Sequence, residues 1–277
     1  GFIVNFLVGI PMLLAIGAWL PDFWQVQTVY MFGLANTLIG LISLFPYYGT
    51  ARGLRVASDG LTILKTPFIK RHELNDMIYA PDLLDAYDHY EKKEYQEALK
   101  IYDYVKPKIS DSRSINLNVG LMYLKLGKPE VALEILTDAL PGVEQRNSKD
   151  FSFLIYNAIA WTNLVLENLD KAHKHAKQAM ELQPTNQYAL GTLGCILVEK
   201  GEHLNGRVMM QEFVDFRFAN NETLVKAMYV ACSYHFTGNM ESAEKHIQFV
   251  LANEGKLDWD EKVLFERVKE KMKHQHS

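Results

Sequence analysis

Two apolar runs open the chain, and a charge-rich region with helical periodicity fills the remainder. GFIVNFLVGIPMLLAIGAWL and VYMFGLANTLIGLISLFPYY each have the length, about 20 residues, that an α-helix needs to cross ~30 Å of hydrocarbon. Between them PDFWQVQT supplies a proline, an acid and an interfacial tryptophan, the composition of a turn. From Gly1 to Ala51 the only formally charged side chain is Asp22. A secretory signal fits the first run poorly, because it lacks a basic start and a small-residue cleavage site. The pattern predicts a transmembrane helical hairpin over residues 1–50. Arg52, Arg55, Lys65, Lys70 and Arg71 follow the second run, whereas the short loop carries no Lys or Arg. The positive-inside bias then makes this an integral membrane protein with everything after Pro46 cytoplasmic. Gly33, Gly40 and Pro11 suit close helix contacts or a kink. Asn5 and Asn36 would need hydrogen-bond partners inside lipid.

The polar region repeats itself. LNVGLMYLKLGKPEVALEILTDALP and YNAIAWTNLVLENLDKAHKHAKQAMELQP share a small residue early (Gly120, Ala160) and an alanine after a turn (Ala132, Ala172). A second alanine follows (Ala139, Ala179), with Pro closing or following the second helix. YVACSYHFTGNMESAEKHIQFVLA supplies Ala231, Gly238 and Ala243, LGTLGCILVEKGEHLNGRVMMQEF supplies Gly194, Gly201 and Gly206, and DAYDHYEKKEYQEALKIYDYV supplies Ala86 and Ala98. Ala98 to Ala132 and Ala172 to Gly206 are each spaced by about 34 residues, the tetratricopeptide period. The other intervals are longer, with insertions expected around Val143–Lys149 and Arg217–Asn221. The region resembles a tetratricopeptide array of about five helix pairs over residues 81–254. Its small residues, Gly120, Ala132, Ala160, Ala172, Gly194, Ala231 and Ala243, are expected where paired helices cross closely. DWDEKVLFERVKEKMKHQHS reads as a C-terminal capping helix and tail, residues 255–277. Such an array offers a concave groove to a protein or peptide ligand.

Composition narrows the partners. At 277 residues with a net charge of −4 and interspersed signs, the chain has no basic footprint, so nucleic acid is not an expected partner. Cys195 and Cys232 are the only cysteines, too few for a disulfide framework or a cysteine-based zinc module. They read as small residues packed in helices.

Candidate chemistry is sparse. His72-Glu73 is half of an HExxH zinc motif, but the second histidine position holds Asp76. His173 and His175, two apart on a helix, point to different faces. The juxtamembrane segment, residues 51–80, contains the isolated pair Asp59-Gly60. Read by itself, LRVA-SDG-LTIL is a small hairpin turning at Asp-Gly. In context, FGLANTLIGLISLFPYYGTARGLRVASDGLTIL is similar to the late transmembrane segment of site-2 protease-type intramembrane zinc metallopeptidases. The matching pieces are Asn36, Leu44-Phe45-Pro46 and Asp59-Gly60. The resemblance implies that Asp59 is a carboxylate ligand of a catalytic zinc, with Gly60 allowing the backbone to approach the metal. The sequence departs from that family in Ala57-Ser58 before the Asp, in the long spacing from Pro46, and in lacking HExxH. The chain begins with Gly rather than Met, so the HExxH helix is expected in a longer parent.

Two readings follow. One is an all-α chain forming the C-terminal portion of a membrane-embedded metallopeptidase, with no catalytic residue of its own and zinc bound only with the missing segment. Its partners would be the lipid bilayer and a protein or peptide in the groove. The other is a non-enzymatic, membrane-anchored tetratricopeptide adaptor, in which Asp59 is a turn residue.

Overall fold

Helices make up nearly every element, and glycine, proline and small side chains set where they end and how closely they cross. The computed structural model describes residues 5, 7–11, 23–45, 48–51, 54–57, 59–65, 78–109, 113–145 and 149–274. Two units divide at Leu74/Asn75.

The N-terminal unit contains helix α1 (Phe23–Leu44), a hairpin of β1 (Tyr48–Ala51) and β2 (Leu54–Ala57), and helix α2 (Asp59–Lys65). Helix α1 takes in FWQVQT, which the sequence pattern assigned to a turn. It ends two residues before Pro46, the Phe45 N–H still reaching the Ile42 carbonyl at 3.0 Å, as expected where a following proline disfavours helical backbone. Among the described residues no helix is long and apolar enough to cross a membrane. Most of the first predicted span lies outside the described residues. The predicted transmembrane hairpin therefore has no support in the fold.

Close helix contact does occur. A Cβ on Gly9, within helical residues 7–11, would lie 2.7 Å from Thr37 Oγ1 and 2.9 Å from the Gly33 carbonyl. Asn36 finds its partner within its own helix, donating to the Phe32 carbonyl at 2.9 Å. The strands pair antiparallel from Tyr48↔Ala57 to Ala51↔Leu54. The all-α reading holds for the helical bulk of the chain, to which the N-terminal unit adds this short hairpin. The hairpin also moves the turn away from Asp59-Gly60, which instead opens α2.

The second unit is five helix pairs and a terminal helix. The pairs are α3/α4 (Ala80–Glu91, Tyr95–Val105), α5/α6 (Arg113–Lys125, Pro129–Gln145), α7/α8 (Lys149–Val165, Leu169–Leu182), α9/α10 (Gln187–Glu199, His203–Met210) and α11/α12 (Asn221–Phe236, Met240–Leu251). Helix α13 (Trp259–His274) follows. Each pair turns through one left-handed residue: Lys93 (φ 61°), Gly127 (76°), Glu167 (62°), Gly201 (86°) and Gly238 (83°). That recurrence marks the repeat, since a left-handed residue just past a helix lets the last carbonyls be satisfied. In the second pair, for example, the Gly127 N–H reaches the Leu124 carbonyl at 3.0 Å and the Lys128 N–H the Tyr123 carbonyl at 2.9 Å. Pro129 opens α6, where its missing N–H costs nothing. Pro141 does not close that helix, which runs on to Gln145.

Within the pairs the small residues sit at the crossings. Ala132, Ala160, Ala172 and Ala231 are fully buried and Ala243 nearly so. A Cβ on Gly120 would fall 2.7 Å from Leu136 Cγ, and one on Gly194 would fall 2.9 Å from the Gly206 carbonyl. Cys195 Sγ packs 3.6 Å from Met210 Sδ in this crossing. Burial pushes the Cys232 thiol up to about 12 and the Cys195 thiol higher still, as suits packed, unreactive sulfurs.

Candidate functional site

The first helix of each pair lines the inner face of the array. A stripe at four-residue spacing recurs from one such helix to the next: Leu117, Leu121 and Lys125 on α5, Phe153, Asn157 and Trp161 on α7, Tyr188 and Thr192 on α9, Glu222 and Lys226 on α11. Residues four apart share a helix face, so these stripes line a groove of about 390 Å³. Tyr90 of α3 and Asp260 and Glu261 of α13 also line it.

Most of the lining is apolar or aromatic, with a few placed polar groups. Asn157 Oδ1 is buried and has no hydrogen-bond partner among the described residues, an acceptor whose desolvation is uncompensated until a donor arrives. Lys226 is 3% exposed, paired with Glu222 and 5.0 Å from the centre of the Phe213 ring. Gly191 makes room for its stem, because a Cβ there would lie 2.9 Å from Lys226 Cε.

The polar end is built around Lys125. Its Nζ lies 2.9 Å from Asp260 Oδ1, 3.1 Å from Glu261 Oε1 and 3.4 Å from Asp258 Oδ2. Trp161 Nε1 donates to Asp260 Oδ2 at 2.7 Å, and Asn221 Nδ2 donates to Asp258 Oδ2 at 3.0 Å. Burial opposes charge on Lys125, but Asp260, Glu261 and Asp258 outweigh it and hold the ammonium firmly protonated. Burial raises the pKa of Glu261, only partly countered by Lys125. For Asp258 burial loses to Lys125 and Lys93, and its pKa is lowered. The sequence carries a signal for this end that the motif reading passed over. Asp258-Trp-Asp-Glu261 is a capping box with aspartate as N-cap, the Glu261 carboxylate accepting from the Asp258 N–H at 2.8 Å at the start of α13.

Helix α13 is consequently more than a solvating cap. Leu264, Phe265 and Val268 are fully buried in the main core. Arg267 donates to the Leu164 and Val165 carbonyls at 2.9 Å each, capping the C-terminus of α7. Lys271 pairs with Glu199, whose other oxygen accepts from Tyr229 at 2.8 Å. Trp259 fills the space beside Gly127, where a Cβ would lie 3.0 Å from Cε2 of its ring.

The residues singled out for metal chemistry do not gather into a site. Gly60 is buried against the end of α1, and a Cβ there would fall 1.6 Å from the Leu44 carbonyl oxygen. The room left by its missing side chain is thus taken by the chain's own backbone, which explains this glycine without a metal. Asp59 is the first residue of α2, and Pro46 lies outside the described residues. Among the described residues no group of three or more His, Cys, Asp or Glu side chains could hold a metal ion, whereas a catalytic zinc takes three protein ligands. The zinc expectation places its other ligands in a segment that this sequence does not contain, and no reaction step is assigned to the metal. The repeat-packing residues Gly120 through Ala243 lie between helices, outside the groove.

Helix pairs at a regular period, one left-handed turn per pair and small residues at each crossing define a tetratricopeptide-like α-solenoid. Comparison with solved structures finds similar repeat proteins. A crystal structure of MamA is 18% identical, with a TM-score of 0.42, over 62% of this chain and 95% of that one. A putative kinesin light chain with nearly identical repeats from Podosopora anserina is 14% identical, with a TM-score of 0.47, over 64% of this chain and 95% of that one. A tetratricopeptide repeat protein from Parabacteroides merdae is 17% identical, with a TM-score of 0.43, over 70% of this chain and 73% of that one. No family model and no curated protein matches the chain.

Proposed function

We propose that this chain is a non-enzymatic adaptor whose solenoid seats a protein segment in the groove between α5, α7, α9 and α11. The observation that carries the reading is Asn157. A buried, unpartnered amide oxygen among Leu117, Leu121, Phe153 and Trp161 suits a ligand that brings an N–H donor beside an apolar side chain, as a peptide backbone does. Few polar groups in an apolar lining is the usual make-up of a recognition site.

The test is photo-cross-linking in the source cells. A photoreactive phenylalanine replaces Leu154, which is exposed at the groove, or Glu181, exposed on α8. A discrete adduct at position 154, absent at 181 and lost on adding Leu121→Glu, supports the groove. Equal adducts at both positions, or indifference to Leu121→Glu, refutes it.

Attachment of the N-terminal unit to a bilayer, with the repeats on the cytoplasmic side, belongs to the same proposal. Its supports are the basic residues after Pro46 and the exposed Met31, Phe32, Leu38, Ile39, Leu41 and Ile42 of α1, since contiguous apolar surface of this kind usually has a partner. The metallopeptidase reading rests on the Asn36, Pro46 and Asp59-Gly60 pattern alone. It would need an HExxH segment that this sequence does not contain.

A further inference from the structure

The two ends of α13 are held by different forces. Beyond its first turn the helix is bound by apolar contacts, with Leu264, Phe265 and Val268 buried among residues of α9 and α11 such as Ile196, Leu224 and Met228. Its start and the residues just before it meet the first repeats mainly through charge, with Trp259 packed beside Gly127 as the apolar contact. Lys93, in the α3/α4 turn, places Nζ 2.8 Å from Asp258 Oδ1 and donates to the Lys256 carbonyl at 2.7 Å. Tyr95 lies beside the same aspartate. Lys125 of the second repeat faces Asp258, Asp260 and Glu261. Three of these groups, Lys125, Asp260 and Glu261, also line the groove, with Tyr90 of α3 beside them.

We propose that Lys93, Tyr95 and Lys125 on one side, and Asp258, Asp260 and Glu261 on the other, form an autoinhibitory latch. Closed, it clamps the first two repeats onto the C-terminal helix and makes the groove a blind pocket that admits a single side chain or chain end. Open, it lets the first pair swing from the rest of the array, which stays intact through an apolar core that takes in Leu124 and Ala132 of the second pair, and the groove becomes a channel that a longer segment can thread. Lys93 is the weak point. Its side chain is 46% exposed, so salt screens its pairing with Asp258 and water can replace it. The proposal rests on the groove as binding face only for its consequence. The experiment reads geometry and access, and can fail while the groove reading stands.

Spin labels are placed on the full chain at Asp103→Cys (α4) and Glu266→Cys (α13), both exposed, while native Cys195 and Cys232 are buried. Pulsed dipolar spectroscopy should give one short separation in the parent and in Lys93→Arg. It should give a longer, broader population in Lys93→Glu and Asp258→Asn. About 1 M salt, where the Debye length is near 3 Å, should shift the parent the same way and leave Lys93→Glu unchanged. In parallel, a thiol at Leu121→Cys should react with a bulky maleimide severalfold faster when Lys93→Glu is added. Circular dichroism shows whether helix content is retained. If Lys93→Glu loses helix, the salt series on the parent decides by itself. A distance distribution unmoved by Lys93→Glu and by salt, or equal alkylation rates, overturns the latch.

Discussion

Gly206→Ala tests the tightest crossing of the array. Its Cβ would lie 2.5 Å from the Gly194 carbonyl oxygen, 2.7 Å from Val198 Cγ2 and 3.1 Å from the Val198 nitrogen. Two of these three neighbours are backbone, so no rotamer change relieves the contact. Reaching an ordinary C···O separation of about 3.3 Å requires α9 and α10 to part by roughly 0.8 Å. A gap of that size forfeits about a quarter to a half of the dispersion energy across it, here along the buried Cys195, Val198 and Met210. Overpacking of this kind costs about 1–3 kcal/mol, and the unyielding backbone puts this site at the upper end. Alanine returns about 1 kcal/mol of helix propensity, leaving a net loss of about 2 kcal/mol. For a unit of about 200 residues that lowers Tm by roughly 4–8 °C. Two controls grade the response. On Gly120 a Cβ is crowded by the side-chain carbons of Leu136 at 2.7 and 2.8 Å, with the Ala132 carbonyl at an ordinary 3.4 Å, and on Gly191 it meets the Lys226 stem. Thermal and urea unfolding followed by circular dichroism should rank Gly206→Ala least stable, Gly120→Ala intermediate and Gly191→Ala within about 1 kcal/mol of the parent. A Gly206→Ala protein as stable as the parent would refute the packing reasoning.

Gly201→Ala and Gly238→Ala isolate backbone strain, because no atom lies within 4 Å of either added Cβ while φ is 86° and 83°. Each should cost about 1–2 kcal/mol, read from urea midpoints, and no loss at either would dismiss the left-handed turns as determinants. Acidification should destabilise the array, since burial lowers the pKa of His175, His203 and His246. Below about pH 6.5, the unperturbed histidine value, the unfolded chain binds protons that the folded chain refuses. Stability present above that pH is therefore lost as pH falls through the depressed folded values. Urea midpoints at pH 7.5 and 5.5 measure it, and a midpoint that rises on acidification contradicts the reasoning. His246→Gln should flatten the slope, as this removes one of the three groups.

The repeat region was legible because its rule is local. A small residue every 34 residues or so marks a crossing whatever surrounds it, and Gly120, Ala132, Gly194 and Gly206 all declared theirs. Lys93 and Glu167 hid their role, because neither residue type advertises a left-handed turn. The stripes facing the groove were present in the spacing of Leu117, Leu121 and Lys125, but which face of each helix turns inward depends on neighbours distant in sequence. The N-terminal unit shows the opposite failure. The pattern suggested an Asp-Gly turn, whereas Asp59-Gly60 opens a helix and Gly60 answers to the carbonyl of Leu44.

Solenoids whose repeats touch only their neighbours can unravel from an end, one unit at a time. Helix α13 removes that freedom. Lys93 and Lys256 are 163 positions apart yet hydrogen-bonded, and Arg267 reaches back 103 positions to Leu164. While closed, these contacts tie the fate of the first pair to that of the last helix, so that the latched array should melt as one body instead of fraying. Closing those loops also requires long-range contacts to form late, which slows folding. During synthesis, the five pairs would then leave the ribosome before the residues that lock them together.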